Sequence, residues 1–426
     1  MLALLVIGLF VLLIIGMPVS LAIGIPSLLY MIADGHVPNF TAVQRMVAGA
    51  NTYPLLAVPF FIFAGNLMNT SGVTTRIFDF SNKLVGHIKG GLGHVNVIAS
   101  IIFAGMSGAA IADAGGLGTI EINAMRDAGY DDSLTVGITA ASSTIGPIIP
   151  PSLPVVIYAV VASTSIGRLF AAGIIPGLIM GLSLMILIYL LADKYQTPVG
   201  KRPTAAEMWT SLRMAFWALL TPGIILGGIF FGVFTPTEAA AVASLYAIIL
   251  GCIIYREMTL KQFYDAVLSS MISTVQVMFI VVAATLFAWI LTKEQVPLMV
   301  ANYILGLTDN YYLILLAINI VLLIVGMFME TIASINILVP VLLPVIDQLG
   351  IDPTQFGVMM ILNLMIGLLT PPFGTVLFIL SGVADVPVEK VARNTAVFLV
   401  PLLIVLFLIV VFPQLTLFVP KLIFGK

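Results

Sequence analysis

Apolar residues run along this chain in blocks long enough to fill a helix, and the blocks end at glycine, proline or charged clusters. Those blocks and their ends predict helices near 1–16, 18–33, 54–70, 168–192, 214–233, 237–255, 263–292 and 396–420. Two regions, 92–165 and 312–385, are equally apolar but are chopped by glycine, proline and small polar residues into pieces too short to span a bilayer. Broken helices survive at membrane depth only where protein or water satisfies the freed backbone groups. Function is therefore expected in those two regions. The longest polar stretch, 193–213, lies between the halves and reads as a linker. Residues 72–90 mix apolar and charged positions, with Ile77, Leu84 and Ile88 on one helical face, as in an interfacial amphipathic helix. An ordinary connecting helix would show the same pattern.

Composition narrows the class. Of 426 residues, 61 % are apolar and 8 % charged, with a mean hydropathy of +1.18. A soluble domain carries roughly 25 % charged residues, so the chain reads as an all-α polytopic membrane protein. At roughly 20 apolar residues per span the length admits about a dozen crossings. The net charge is −2 with no long basic or acidic run, which leaves no footprint for nucleic acid. The single cysteine, Cys252, excludes an internal disulfide and, set in an apolar run, reads as a small core residue. His36, His87 and His94 lack metal-ligand spacing. The opening MLALLVIGLF has no basic region and reads as a first membrane helix, not a cleaved signal. No paired His/Glu metal motif, Ser–Lys nucleophile pair or paired intramembrane Asp motif is apparent. No catalytic residue and no enzyme are expected.

Lysine and arginine set an orientation. Arg76, Lys83, Lys89, Arg126, Lys194, Lys201, Arg202, Arg213, Arg256, Lys261, Lys390 and Arg393 can share one side, leaving Arg45, Arg168, Lys293, Lys421 and Lys426 on the other. The larger set marks the cytoplasm, which puts both termini outside. Residues 92–128 must then enter and leave from the cytoplasm, and 312–350 from the outside, as two re-entrant hairpins.

A self-match runs through these regions. Gly326-Met327 follows Gly105-Met106 by 221 residues, Ile366-Gly367 follows Ile145-Gly146 by 221, and Pro371-Pro372 follows Pro150-Pro151 by the same interval. Landmarks held in one register over forty residues argue for a duplicated unit, and the charge count puts the copies in opposite orientations. That is an inverted-topology repeat, an architecture that places substrate and ion sites near the midplane at discontinuous helices.

The breaks carry chemistry. Proline has no N–H, so Pro150 and Pro151 should leave the carbonyls of Gly146 and Pro147 without helical partners, and Pro371 and Pro372 those of Gly367 and Leu368. A freed carbonyl in a dry interior is costly, and a small hard cation such as Na⁺ relieves it. Hydroxyls stand nearby: Ser142, Ser143 and Ser152 in the first copy, Thr370 and Thr375 in the second. A kink filled by neighbouring side chains is the alternative. The hairpin tips, GMSGAAIADAGGLG (105–118) and GMFMETIASIN (326–336), hold Asp113 and Glu330. Each acid can neutralise a cation or cap a half-helix. Half-helix starts near Ser152 and Thr375 can attract a substrate anion. By contrast Thr235-Pro236-Thr237-Glu238 reads as a capping box, and Trp209, Trp217 and Trp289 as interface anchors near helix ends.

GMSGAAIADAGGLG, GPIIPPS, GVFTPTEAAAVA and GLLTPPFGTVLF, in this order over essentially the whole chain, resemble the large (M, DctM-like) membrane subunit of tripartite ATP-independent periplasmic (TRAP) transporters, most closely the sialic-acid type. The resemblance implies a Na⁺-coupled elevator-type symporter of organic acids in the bacterial inner membrane, of ion-transporter-superfamily-like fold. It implies a small four-helix membrane subunit (Q-type) and a periplasmic substrate-binding protein as partners, a sialic-acid or C4-dicarboxylate class of substrate, and no cofactor beyond Na⁺. Carried onto this chain, one Na⁺ site involves Ser107, Gly146, Ile149 and Pro151, and the other Gly326, Gly367, Thr370 and Phe373. Asp113, Ser152, Glu330 and Thr375 remain as substrate or hairpin-tip candidates. The implied division is scaffold helices and an amphipathic arm in 1–91, transport-domain halves in 92–165 and 312–385, scaffold helices, linker and a second arm in 166–311, and a C-terminal scaffold helix in 386–426. A self-sufficient Na⁺/carboxylate symporter or antiporter of related architecture fits the same residues.

Overall fold

The computed structural model describes residues 2–35, 37–38, 40–308 and 310–425, and its regular elements among them are helices, with no strand. His36 and Lys426, used above for the histidines and the orientation, lie outside that set. Among the described residues seven helices are long and apolar enough to cross a membrane. The longest, Leu260–Lys293, packs against Val19–Asp34, Phe40–Ala50 and Ala57–Thr70. Three helices open with reciprocal caps in which a threonine hydroxyl and the side chain three residues on satisfy each other's backbone N–H: Thr204 with Glu207, Thr235 with Glu238, and Thr259 with Gln262.

Several boundaries differ from expectation, each for a local reason. The Thr204 cap opens the Ala205–Phe230 helix inside the polar stretch, so half of the expected linker is helical and Trp217 lies mid-helix instead of near an end. The C-terminal run splits at Pro413 into Val388–Val411 and Gln414–Phe424. Val73–Val85 is helical, but its buried face is Val73, Ile77, Ser81 and Val85, with Leu84 outward and Ile88 beyond the helix. Cys252 is exposed rather than in the core, because an apolar run in a membrane protein does not distinguish lipid from interior. The legs of the second hairpin, Tyr311–Phe328 and Thr331–Gln348, are not too short to span. At 18 residues each they are about 27 Å long, and Pro340 and Pro344 lie inside the latter without ending it.

Regions 92–165 and 312–385 follow one order of elements. In the first, Gly91–Ser107 turns at Gly108 into a return leg, residues 110–127, then Asp132–Ser143, a break, and the short helix Leu153–Val161. In the second, Tyr311–Phe328 turns at Met329–Glu330 into Thr331–Gln348, followed by Pro353–Gly367, a break, and Thr375–Ala384. Both Pro-Pro bonds in the breaks are cis. The short helix after each break packs on the other region's hairpin: Leu153–Val161 on Thr331–Gln348, and Thr375–Ala384 on residues 110–127. Tyr158 Oη ties the two regions together by donating to the Pro353 carbonyl at 2.7 Å.

Charged side chains sort along the two groups of basic residues. Lys89 meets Asp193 at 2.5 Å, Arg76 meets Glu257 at 2.6 Å, and Lys83 reaches Glu207 at 3.9 Å. Lys293 meets Asp34 at 2.5 Å and Arg45 lies 5.3 Å over the Trp289 ring. Each contact joins segments assigned to a single side.

Candidate functional site

The first hairpin tip sits on the first break. Gly108 takes the left-handed conformation with φ +63° that ends the helix. Its carbonyl accepts from Leu153 N at 3.2 Å, and a side chain there would run into the Pro151 carbonyl. Ser107, the last residue of that helix, donates its hydroxyl to Asp113 Oδ1. Asp113 is 2 % exposed, and its other oxygen, Oδ2, has no hydrogen-bond partner. It points at the first break, where a Cβ added to Gly146 would lie 2.5 Å from Oδ2. Among the described residues the Gly146 carbonyl accepts no hydrogen bond. Pro147 departs from expectation: its freed carbonyl accepts from Ser152 Oγ at 2.5 Å. Ser152 also caps Val155 N at 3.2 Å, so its hydroxyl is engaged locally in both directions. Ile149 leans on Gly177 of the neighbouring Ile166–Leu191 helix.

At the second break, backbone meets backbone. A Cβ on Gly367 would stand 2.5 Å from the Gly326 carbonyl carbon, and one on Gly326 would stand 3.2 Å from Gly367 Cα. Only glycine at both positions allows this approach. Phe373 N donates to the Met327 carbonyl at 3.3 Å, closing tip onto break as in the first region. The freed carbonyls again depart from expectation. Gly367 O accepts from Thr370 N at 2.9 Å, while Leu368 O has no partner among the described residues. Thr370 donates its hydroxyl to the Ile366 carbonyl at 2.9 Å, which leaves its oxygen lone pairs open. Phe373 stacks near Phe328, ring centres 5.9 Å apart.

Beside this second clasp lies a cavity of about 490 Å³. Gly326 to Glu330, Phe373 and Thr375 form its sides, Ile111 reaches in from the first tip, and Val19 lines it from a helix outside both regions. Thr375 Oγ1 is buried without a partner. Glu330 caps its own helix, Oε2 accepting from Ile332 N at 2.9 Å and Ala333 N at 3.3 Å. The two tips and two breaks are thus contiguous, while Ser152 and Glu330 are spent on helix starts.

Two polar pairs bind each first hairpin leg to the helix before its break, and of their members only Ser142 stood out in the sequence, as a hydroxyl near the break. Ser142 donates to Asn96 Oδ1 at 2.6 Å, and Asn363 donates to Asn319 Oδ1 at 2.8 Å. Asn363 follows Ser142 by 221 residues, the interval of the self-match. A lone asparagine inside an apolar run, as in VNVIAS, AINIV and ILNLM, is the signal that would have found them. Glu121, wholly buried in the first return leg, was also missed.

An all-helical multi-pass architecture with two broken-helix units around a shared polar seam defines a membrane transporter. Comparison places it further. The family model described as "Tripartite ATP-independent periplasmic transporter, DctM component" matches residues 6–415, and the chain belongs to that family. The sialic acid TRAP transporter large permease protein SiaM of Vibrio cholerae is 50 % identical over 399 residues, covering 94 % of this chain and 93 % of that protein. The C4-dicarboxylate TRAP transporter large permease protein DctM of Pseudomonas aeruginosa is 43 % identical over 369 residues, covering 87 % and 86 %. Among solved structures the Alcanivorax borkumensis YdaH transporter, described as having an unusual topology, shares the fold with a TM-score of 0.66 at 13 % identity, over 88 % of this chain and 87 % of that one.

Proposed function

We propose that this chain is the large subunit of a Na⁺-coupled importer of an organic acid, of the sialic-acid or C4-dicarboxylate class, in the bacterial inner membrane. The observation that carries the reading is the pair of Pro-Pro breaks, each clasped by its own region's hairpin tip and each followed by a helix packed on the other region's hairpin. Such an exchange is what two copies of one unit produce when related by a two-fold axis in the membrane plane. It supports the inverted repeat; the count of lysines and arginines is what favours periplasmic termini.

In this reading one Na⁺ binds at Ser107, Gly146, Ile149 and Pro151, with the Asp113 carboxylate supplying the counter-charge. A second binds at Gly326, Gly367, Thr370 and Phe373, where the open Leu368 carbonyl adds an oxygen. Filling either site fixes a tip on its break and so completes the cavity wall. The substrate carboxylate lies in that cavity near Thr375, whose unpartnered hydroxyl opens a helix. Two cations offset its charge while 92–165 and 312–385 move as an elevator against scaffold segments 1–91, 166–311 and 386–426. A small Q-type membrane subunit enlarges the scaffold, and a periplasmic binding protein delivers the acid. The identity to a permease named for sialic acid favours that substrate for the first trial.

Uptake into proteoliposomes tests the proposal. The chain with its small subunit, a loaded binding protein and an inward Na⁺ gradient is expected to accumulate labelled sialic acid or C4-dicarboxylate. Uptake of free acid by the chain alone would replace the tripartite reading with the self-sufficient one. Flux indifferent to the Na⁺ gradient would remove the coupling.

A further inference from the structure

The first hairpin buries an acid that neither cation site uses. Glu121 lies one turn into the Gly118–Asp127 helix, is 1 % exposed, and leaves Oε1 without a hydrogen bond. Its level in the fold is fixed by Gly118, where an added Cβ would stand 2.9 Å from Thr139 Cγ2. The chain reverses over 128–131 and continues as Asp132–Ser143. One turn onward from Gly118 therefore comes level with one turn back from Thr139, which puts Glu121 and Thr135 at the same level of the two packed helices. Thr135 is 0 % exposed, and its Oγ1 has no partner either.

Among the described residues no base neutralises this carboxyl. The ionisable group whose field reaches it is Asp113, of like sign. Arg126, on the same helix, is committed to Asp132 at 2.7 Å and to the Ala384 carbonyl at 2.6 Å. Asp127 is exposed at the helix end. On the hairpin's first leg, the His94 ring lies against the Lys89 carbonyl at 2.9 Å. Helix Thr375–Ala384 carries no titratable residue. On Val73–Val85, Arg76 pairs with Glu257 and Lys83 with Glu207, while Asp79 adds only negative charge. An ionised carboxylate buried without a counter-charge is strongly disfavoured. A metal cation would need several oxygens, but both helices run unbroken here and their carbonyls are used within them. A proton needs one oxygen.

We propose that Glu121 is a proton-binding site of the first hairpin, its carboxyl held neutral with the Thr135 hydroxyl as hydrogen-bond partner. Losing the proton leaves two like charges, Glu121 and Asp113, on one hairpin leg and loosens that leg from Asp132–Ser143. Gly146, which faces Asp113, follows that same helix, so alkaline pH acts on the first break through the packing of two helices.

Infrared spectroscopy of the purified full chain in lipid nanodiscs tests this without any transported substrate, so its failure is separate from failure of the transport reading. At neutral pH the wild type is expected to show a protonated-carboxyl C=O stretch that shifts in deuterium oxide, loses area in Glu121→Gln, and moves in frequency in Thr135→Val. Raising the pH should remove that part of the band and lower the melting temperature of the wild type more than that of Glu121→Gln. An identical band in Glu121→Gln overturns the proposal. A Glu121 band that appears only when Na⁺ is withdrawn overturns it too, by making the ligand Na⁺. Should Glu121→Gln fail to fold, Thr135→Val keeps the acid, and an unmoved band in that variant overturns the pairing.

Discussion

At Gly146 the first break faces a carboxylate, whereas at Gly367 the second faces bare backbone. The order of helices is the same in both regions, and so is the hydrogen bond that closes tip on break. Surroundings account for the difference. Ser107, Asp113 and Gly146 are buried, and in the proposed reading a cation bound there needs a full counter-charge. At the second break Gly326 and Gly367 are buried, but Pro371, Pro372 and Phe373 are exposed and Phe373 lines the cavity; in the proposed reading neutral oxygens serve there because water and substrate share the task. A shared order of elements therefore does not dictate a shared ligand set.

The largest expected effect breaks the second clasp. Gly367→Ala puts a methyl group against the Gly326 backbone, which cannot retreat as a side chain could, and should cost about 1–3 kcal/mol together with nearly all uptake. Gly146→Ala crowds the Asp113 carboxylate, the end of a side chain, and meets the Ser143 carbonyl only at an ordinary 3.5 Å, so its melting temperature should fall less. If the two variants lose equal stability, the contrast between carboxylate and backbone is wrong. Next in size is Asp113→Asn, which keeps the shape but removes the charge. The coupling should weaken about 10-fold or more in Na⁺ affinity, corresponding to about 1.4 kcal/mol, and Na⁺-dependent protection in a thermal melt reads it. An unchanged affinity would take the carboxylate out of the first site.

Thr370→Val in the second site removes one neutral oxygen and should weaken Na⁺ dependence only several-fold, a hydrogen-bond-sized loss of about 1 kcal/mol. Equal losses at Asp113 and Thr370 would erase the distinction between the two regions. The smallest effect lies outside both. The Arg76 guanidinium, through its hydrogen bond, holds the Glu257 carboxyl below its usual range. Its contribution is present above the unfolded pKa and fades as pH falls through the folded one. The Glu257 side chain is half exposed, so Arg76→Ala should cost about 1 kcal/mol or less, lose that margin in acid, and leave Na⁺ affinity unchanged.

Much of the fold was legible because helices in a bilayer depend on local signals. Apolar blocks placed most of the helices and the Thr235 cap marked where one begins, whereas the Thr204 cap and the split at Pro413 were passed over because a long apolar or polar run hid them. The 221-residue interval pointed to Gly146, Gly367 and both Pro-Pro pairs, and those residues do sit at the breaks. The free carbonyls were read less well. Proline spacing says which bonds a helix loses, but Ser152 and Thr370 N then capture the carbonyls of Pro147 and Gly367, and such rescue depends on the turn's shape.

The sequence by itself determined that the chain is a membrane protein of many helices, where its two interruptions fall, and which residues at them lack N–H groups, since all of these follow from composition and from bonding within a few residues. Only the tertiary structure decided which oxygens stay free, that Asp113 confronts Gly146 while Gly326 confronts Gly367, and that Glu121 has no counter-charge. Those outcomes depend on helices far apart in the chain meeting at fixed levels. Burial and pairing are properties of that meeting, and no stretch of sequence carries them alone.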